Sequence, residues 1–411
     1  MIKMFYKKEP FLQIYRKDHD SREVNVYKLT NVKTFNNLIC YPIVLLREIK
    51  NNNIINPINE KTMSLKDVDF KIDLGDHDAQ IKENIKDNLF YFVYNTENYF
   101  HFLYDSIPYL ISFLRLKKEI PDLKLLMNYS NLKNNKFYPF VLELLNLLSI
   151  NEQDIEIIKN NTLYSNLFVS DSYTHGADSN LPPTGEVYDF YKYMCDLVPD
   201  RDDTPRKIYV SRRTWLHNNL SNIGTDYTSR RIMKNEDNLV EFLKNKGFSE
   251  IFAENLSITE KIQIFRNAET VIGPIGGGMS NVLFSSQDCD VVAIISPTFL
   301  EVNNRFKFSM NQAKLHTFCE TKHTEDTEFK LYMRVKHQDL IGEIIAINDD
   351  KISLAISDKP ISGWPRDIEH RCIEVDSKEC IKLDDGLNSP FFIDLPRFKS
   401  YYNEHVEQKR R

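Results

Sequence analysis

ETVIGPIGGGMSNVLFSSQDCDVVAIIS (269–296) is the stretch on which the fold turns. An apolar run, ETVIG (269–273), leads into four glycines within six positions: Gly273, Gly276, Gly277 and Gly278. GGGMSNVLFSS (276–286) follows with the pattern of a short helix, and DVVAIIS (290–296) is a second apolar run. Strand, glycine turn, helix, strand is the repeating unit of a parallel sheet covered by helices. Glycine is scarce elsewhere, 12 in 411 residues against the roughly 7% of ordinary proteins, so four in one loop mark a special backbone. Glycine admits φ > 0 and lets a backbone come close to a ligand. N–H groups at a helix N-terminus, together with the helix dipole, favour an anion. Around them Ser280 and Asn281 add side-chain donors, and Met279 belongs to the same loop. The segment fits neither G-x-G-x-x-G nor the Walker pattern GxxxxGK[ST]. A tight strand-to-helix turn with no ligand is the alternative reading.

Outward from the loop the same alternation continues. KIYVS (207–211), EIFA (250–253), ETVIG and DVVAIIS read as strands; NEDNLVEFLKNKGF (235–248) and SITEKIQIFRNA (257–268) read as helices. Asn235 is the expected N-cap and Gly247 the stop of the first helix, and Ser257 with Glu260 forms a capping box for the second. This is a Rossmann-like domain. Upstream, NLFYFVYN (88–95), LKLLMNY (123–129), DIEII (154–158) and LYSNLFVSD (163–171) alternate with helical stretches, so the first half is expected to hold an open parallel sheet. NYFHFLYDSIPYLISFLRLKKEI (98–120) has helical spacing, with Pro108 starting or kinking a helix. Residues 1–80 read as irregular with short strand-like runs, and VPDRDDTPR (198–206) reads as a linker. KLYMRVKH (330–337), IGEIIAI (341–347) and KISLAIS (351–357) are strands of a β-rich tail. The division expected is 1–200, an N-terminal Rossmann-like acceptor domain; 201–330, a C-terminal nucleotide-sugar-binding domain; and 331–411, a β-rich appendage and tail.

Several polar side chains fall where such sheets bind ligands, at the carboxyl ends of strands. KIYVSRRTW (207–215) puts Arg212 and Arg213 just past a strand. Arginine's fork of donors suits a diphosphate, and Arg212 is favoured because only one of two adjacent residues on an extended chain can face a pocket. Asn98, His101 and Asp105 share one face of an aromatic helix at i, i+3 and i+7. A His–Asp pair there fits proton transfer or acceptor orientation, with Asn98 beside it. Glu254 follows the strand EIFA, and His175 lies in the loop DSYTHGADSN (171–180). These are weaker candidates, for a hydroxyl or base edge and for the acceptor respectively.

Composition bounds the partners. Net charge is −6 and the pI about 6.0, which argues against a nucleic-acid binder driven by bulk charge. Six cysteines, Cys40, Cys195, Cys289, Cys319, Cys372 and Cys380, form no CxxC pair, so neither a disulfide framework nor a zinc site is expected. No signal-peptide core opens the chain, and no apolar run reaches the roughly 18 residues of a membrane span. The expectation is a cytoplasmic protein, with the basic tail EQKRR (407–411) as a candidate for peripheral contact with the inner face of the membrane.

The ordered series NYFHFLYDSIP, KIYVSRR, RRIMKNED, GFSEIFAENLSITEKIQIFRNAETVIGPIGGGMSNVLFS and VVAIISP resembles glycosyltransferase family 61 over about 95–297. The resemblance implies a GT-B architecture, two Rossmann-like domains facing a cleft. It implies inverting transfer of a sugar from a nucleotide-sugar donor to a hydroxyl of a glycan or lipid-linked glycan acceptor. No metal or other cofactor is expected, and no convincing Asp-x-Asp metal motif stands beside a strand. Arg212 occupies the family's strand-end arginine, associated with donor phosphate; the loop (Gly273, Gly276, Gly277, Gly278, Met279, Ser280, Asn281) and Glu254 are expected to complete the donor site. His101 and Asp105 occupy the family's polar helix positions and are the expected catalytic pair; Asn98 and His175 are the expected acceptor contacts. The family's loop often reads G-P-H-G-A-G. Ile275 stands where that His would be and Gly277 replaces the Ala, so any role of the His is absent or relocated. Bacterial capsule or surface polysaccharide synthesis is the expected setting. Transfer of a phosphate-containing group, or a lapsed glycan-binding scaffold, are the alternatives.

Overall fold

The computed structural model describes residues 3–7, 24–35, 38–41, 45–48, 81–92, 98–131, 134–159, 161–170, 172–174, 183–213, 231–297, 304–310, 314–323, 329, 333–356, 372–384 and 390–407. The chain divides into two compact units, Met1–Val198 and Pro199–Arg411.

In the first unit, strands β1 (Lys3–Lys7), β2 (Asn25–Phe35), β3 (Leu38–Tyr41) and β4 (Leu45–Glu48) precede β5 (Glu83–Tyr91), β6 (Lys124–Met127), β7 (Ile155–Ile157) and β8 (Thr162–Ser170). They form one sheet in the order β4-β3-β2-β8-β5-β6-β7, with β1 also on β2. Pairing is parallel from β8 through β5 and β6 to β7. It is antiparallel between β2 and β8 and beyond. The open parallel sheet expected for this half is therefore a mixed one, and the residues that read as irregular supply its antiparallel side. Their pairing with β8 is non-local, so no neighbouring segment announces it. β5 is largely exposed until Leu89, Phe90 and Tyr91, which are buried. Its carboxyl end thus enters the core just before a short helix, α1 (Tyr99–His101). Helices α2 (Leu110–Glu119), α3 (Pro139–Leu147) and α4 (Gly185–Asp196) complete the unit.

In the second unit, β9 (Lys207–Val210), α5 (Glu236–Asn245), β10 (Ser249–Ile251), α6 (Ile258–Asn267), β11 (Thr270–Pro274), β12 (Asp290–Ile294), α7 (Asn304–Ser309) and β13 (Lys314–Phe318) follow in turn. The sheet is wholly parallel, ordered β10-β9-β11-β12-β13. Every residue of β11 is buried, as for a central strand covered on both faces. Ser257 and Glu260 make the expected reciprocal capping box on α6. Gly247, at φ +80, ends α5 in the left-handed conformation that glycine adopts without a Cβ penalty. Asn235 stands at the N-cap position of α5 but makes no capping bond; its amide binds the backbone of Ile393 instead.

The tail divides in two. β14 (Thr321–His323) comes first; β15 (Arg334–His337), β16 (Leu340–Asn348), β17 (Lys351–Ile356), β18 (Cys372–Asp376) and β19 (Cys380–Asp384) then form an antiparallel sheet with its own core of Met333, Val335, Ile344, Ile352, Leu354 and Val375. β20 (Phe391–Ile393) pairs with β14, and α8 (Leu395–Tyr402) buries Phe398 and Tyr402 among Tyr209, Leu239, Leu243 and Ile272 of the parallel-sheet core. No helix among the described residues is long and apolar enough to cross a membrane.

Candidate active site

The order of the second unit's sheet reverses beside its first strand: in chain order it runs second, first, third, fourth, fifth. Ligands of open α/β sheets bind outside the carboxyl ends of the strands at such a switch point. Here that point lies between β9 and β11, and the residues that follow those two strands are Ser211-Arg212-Arg213 and the glycine loop.

Beyond β11 the loop keeps one more ladder bond, Ile275 N–H to Ile294 O at 2.9 Å, and then turns into a 3₁₀ helix, Gly277–Phe284. None of its glycines is left-handed, Gly276 being extended at φ 171; Gly247 alone is left-handed among the described glycines. The loop's glycines serve close approach. A Cβ on Gly273 would lie 2.7 Å from Met279 Sδ and 2.9 Å from Val210 O, and one on Gly278 would lie 2.9 Å from Val210 Cγ1. These two let the loop pack on β9. Gly276 differs, because its missing Cβ leaves room for the Arg212 guanidinium. Arg212 Nη1 reaches Ile275 O at 3.4 Å, so the arginine lies along the loop. Met279, Ser280 and Asn281 are buried, and Ser280 Oγ and Asn281 Nδ2 donate to Gly277 O at 2.5 Å and Gly278 O at 2.8 Å. These two side chains brace the loop from within. Ile275 is 6% exposed and points no polar group outward.

The two arginines take different partners. Arg213 is bound to Glu250 through Nε at 2.9 Å and Nη2 at 2.6 Å, and to Asp237 at 2.5 Å. Burial would raise the Glu250 carboxyl, but the Arg213 bonds outweigh it and hold the group below its ordinary range. Arg212 is fixed instead through its backbone. Its N–H donates to Glu236 Oε1 at 2.9 Å, an oxygen that also accepts from Tyr209 at 2.9 Å and Ser211 at 3.3 Å. Glu236 is 1% exposed, and burial pushes its carboxyl up against the effect of these bonds. Its place in the site escaped sequence reading, because an acid in a helix's first turn reads as a solvated complement to the dipole. Glu254 stands half-buried in the 3₁₀ turn Ala253–Asn255 after β10, the strand next to β9.

In the first unit, the helix expected over 98–120 is broken into α1, a π turn at Phe102–Ser106, a 3₁₀ turn at Ile107–Tyr109, and α2. Pro108 is the cause: it has no N–H to continue an α ladder. The Ile107 N–H reaches back five residues to Phe102 O, and the Tyr191 hydroxyl of α4 donates to Leu103 O, the carbonyl that a π register would have offered to Pro108. Asn98 Oδ1 accepts from His101 N–H at 3.2 Å, so this side chain caps the helix. His101 Nδ1 lies 2.7 Å from Asp105 Oδ2, and Thr174 Oγ1 donates to Asp105 Oδ1 at 3.4 Å. Asp105 is fully buried and His101 9% exposed. His175 lies outside the described residues. Among those described, no three His, Cys, Asp or Glu side chains gather to hold a metal ion.

A parallel sheet with an arginine and a glycine loop at its switch point defines a Rossmann-like domain of the kind found in glycosyltransferases. Residues 99–292 match the family model described as Glycosyltransferase 61, which supports a glycosyltransferase of that family. The match runs from α1 to β12 and so includes His101, Asp105, Arg212 and the glycine loop; Asn98 and the tail fall outside it. No curated protein matches the chain.

Proposed function

We propose that this glycosyltransferase moves a sugar from a nucleotide-sugar donor to a hydroxyl of a glycan or lipid-linked glycan with inversion, in bacterial capsule or surface polysaccharide synthesis on the cytoplasmic side of the membrane. The observation that carries the reading is Arg212, laid along a glycine loop at the sheet's switch point in a chain that matches family 61. The guanidinium and the N–H groups of the loop take the donor diphosphate and neutralise the charge that grows on it as it leaves. This arrangement works without a bound metal. With no histidine at position 275, backbone donors carry the loop's share.

On the acceptor side, Asp105 accepts from His101 Nδ1–H and thereby fixes the tautomer that leaves Nε2 as the base. Nε2 takes the acceptor hydroxyl's proton as its oxygen bonds to the anomeric carbon and the bond from that carbon to the diphosphate oxygen breaks. A single displacement inverts the anomeric centre. The GT-B architecture belongs to the same proposal.

A thermal-shift screen across nucleotide sugars fixes the donor, and product release with the wild type and Arg212→Ala then tests the mechanism. The variant is expected to lose transfer about 100-fold or more, the effect of deleting one preorganised donor. Wild-type turnover in the variant would sink the clamp. Release of a nucleoside monophosphate in place of a diphosphate would shift the reading to transfer of a phosphate-containing group.

A further inference from the structure

The proposed donor site is tied to the end of the chain. Phe391 N–H donates to Ile232 O at 3.0 Å, and Lys234 N–H donates to Phe391 O at 2.8 Å, so β20 runs beside the segment that opens α5. Asn235 then takes both backbone groups of Ile393: Nδ2 donates to Ile393 O at 2.8 Å, and Oδ1 accepts from Ile393 N–H at 3.0 Å. The far end of α5 is held by the same tail, through Lys246 Nζ to Glu407 at 3.0 and 3.1 Å. Between these ends Phe242 meets the rings of Phe398 and Tyr402 edge-on. The helix that carries Glu236 is therefore gripped along its length by residues that lie beyond the family match.

Glu236 is poorly suited to stability alone. A buried carboxyl is costly, and its Oε2 has no hydrogen-bond partner among the described residues. Its Oε1 gathers three donors, one of them the N–H of Arg212. Those donors come from the end of β9 and the turn after it, where the chain must stop being a strand and present one guanidinium to the loop.

We propose that Glu236 is a positioning residue for Arg212, and that the C-terminal segment, acting through the Asn235–Ile393 pairing, sets where Glu236 stands. The inference rests on Arg212 as the donor clamp.

The test is calorimetric binding of three probes, uridine, guanosine and cytidine 5′-diphosphate, together with donor KM and kcat. The full-length proteins are the wild type, Arg212→Ala, Glu236→Ala, Glu236→Gln and Asn235→Ala. Val335→Ala, a core substitution in the separate antiparallel sheet, controls for loss of stability. Glu236→Ala and Asn235→Ala are expected to weaken binding by about tenfold or more, the worth of one hydrogen bond to a charged group, with the change in KM exceeding that in kcat. Glutamine keeps an accepting oxygen, so Glu236→Gln is expected to restore most of the affinity. The proposal is overturned if both alanine variants bind as the wild type does while Arg212→Ala does not. It is overturned equally if they lose no more than the Val335→Ala control, or if glutamine is as defective as alanine. A loss confined to Glu236→Ala removes the tail from the mechanism. If the wild type binds none of the three diphosphates, the donor-site reading falls first and takes this inference with it.

Discussion

The two halves of the candidate machinery handle buried polarity in opposite ways. Around His101 the polar groups are side chains: an imidazole and a fully buried carboxylate in a helix whose regular ladder is broken, and a threonine from outside it. Around Arg212 backbone groups take part beside the carboxylate of Glu236: a carbonyl of the loop, the Arg212 N–H that Glu236 fixes, and glycines that allow close approach. A side-chain base needs a defined proton position, which a fixed partner supplies. A phosphate grip needs several donors at short range and no bulk between them. One region is thus sensitive to the identity of a few atoms, the other to volume.

Four substitutions sharpen that contrast, from the largest expected effect to the smallest. Removing the proposed base with His101→Ala is expected to lower kcat by about 10²–10⁴-fold with little change in donor KM; a kcat within a few-fold of the wild type would remove His101 from the chemistry. In the volume-sensitive region, Gly276→Ala puts a methyl where the Arg212 guanidinium lies. Donor KM should rise about tenfold or more, in proportion to the grip lost, with thermal stability nearly unchanged because the displaced group is the end of a flexible side chain. Gly273→Ala is the internal comparison: its Cβ meets a backbone carbonyl, so about 1–3 kcal/mol of stability should be lost by denaturant titration. Tyr191→Phe leaves the Leu103 carbonyl without the Tyr191 hydroxyl, a cost of about 1–3 kcal/mol for a buried acceptor. A fall in kcat should accompany it, since the same turn carries Asp105.

The smallest effect is one of pH. Burial raises the Glu236 carboxyl in the folded state, so its favourable contribution is complete below the ordinary glutamate value of about 4.3 and fades as pH rises through the folded value. Stability curves of the wild type and Glu236→Gln from pH 4 upward should therefore separate in the variant's favour. Parallel curves would mean that the carboxyl is not raised.

Much of the second unit is legible in the sequence because its signals are local. The Ser257–Glu260 box, the Gly247 stop and the apolar run of β11 each act within a few residues of themselves. Asn235 fails as a cap for the opposite reason: its partner lies 158 residues away. The same distance effect conceals β2, which pairs with β8. At the site, Arg212 and the glycine cluster could be found from composition and strand-end position. Glu236 could not, since burial decides its role and a helix's first acid looks solvated. Pro108 signalled a break, but only the Tyr191 hydroxyl, on another helix, accommodates the break as a π turn.

That turn is a local widening: a π turn holds one residue more than an α turn. Deleting one residue between Phe102 and Ile107 would return the segment to even winding. The wide turn absorbs that residue, so the apolar face that α2 buries through Leu110, Phe113 and Leu116 would keep its direction. The extra residue widens the segment at Asp105, the partner of the proposed base, without turning the face that packs the core.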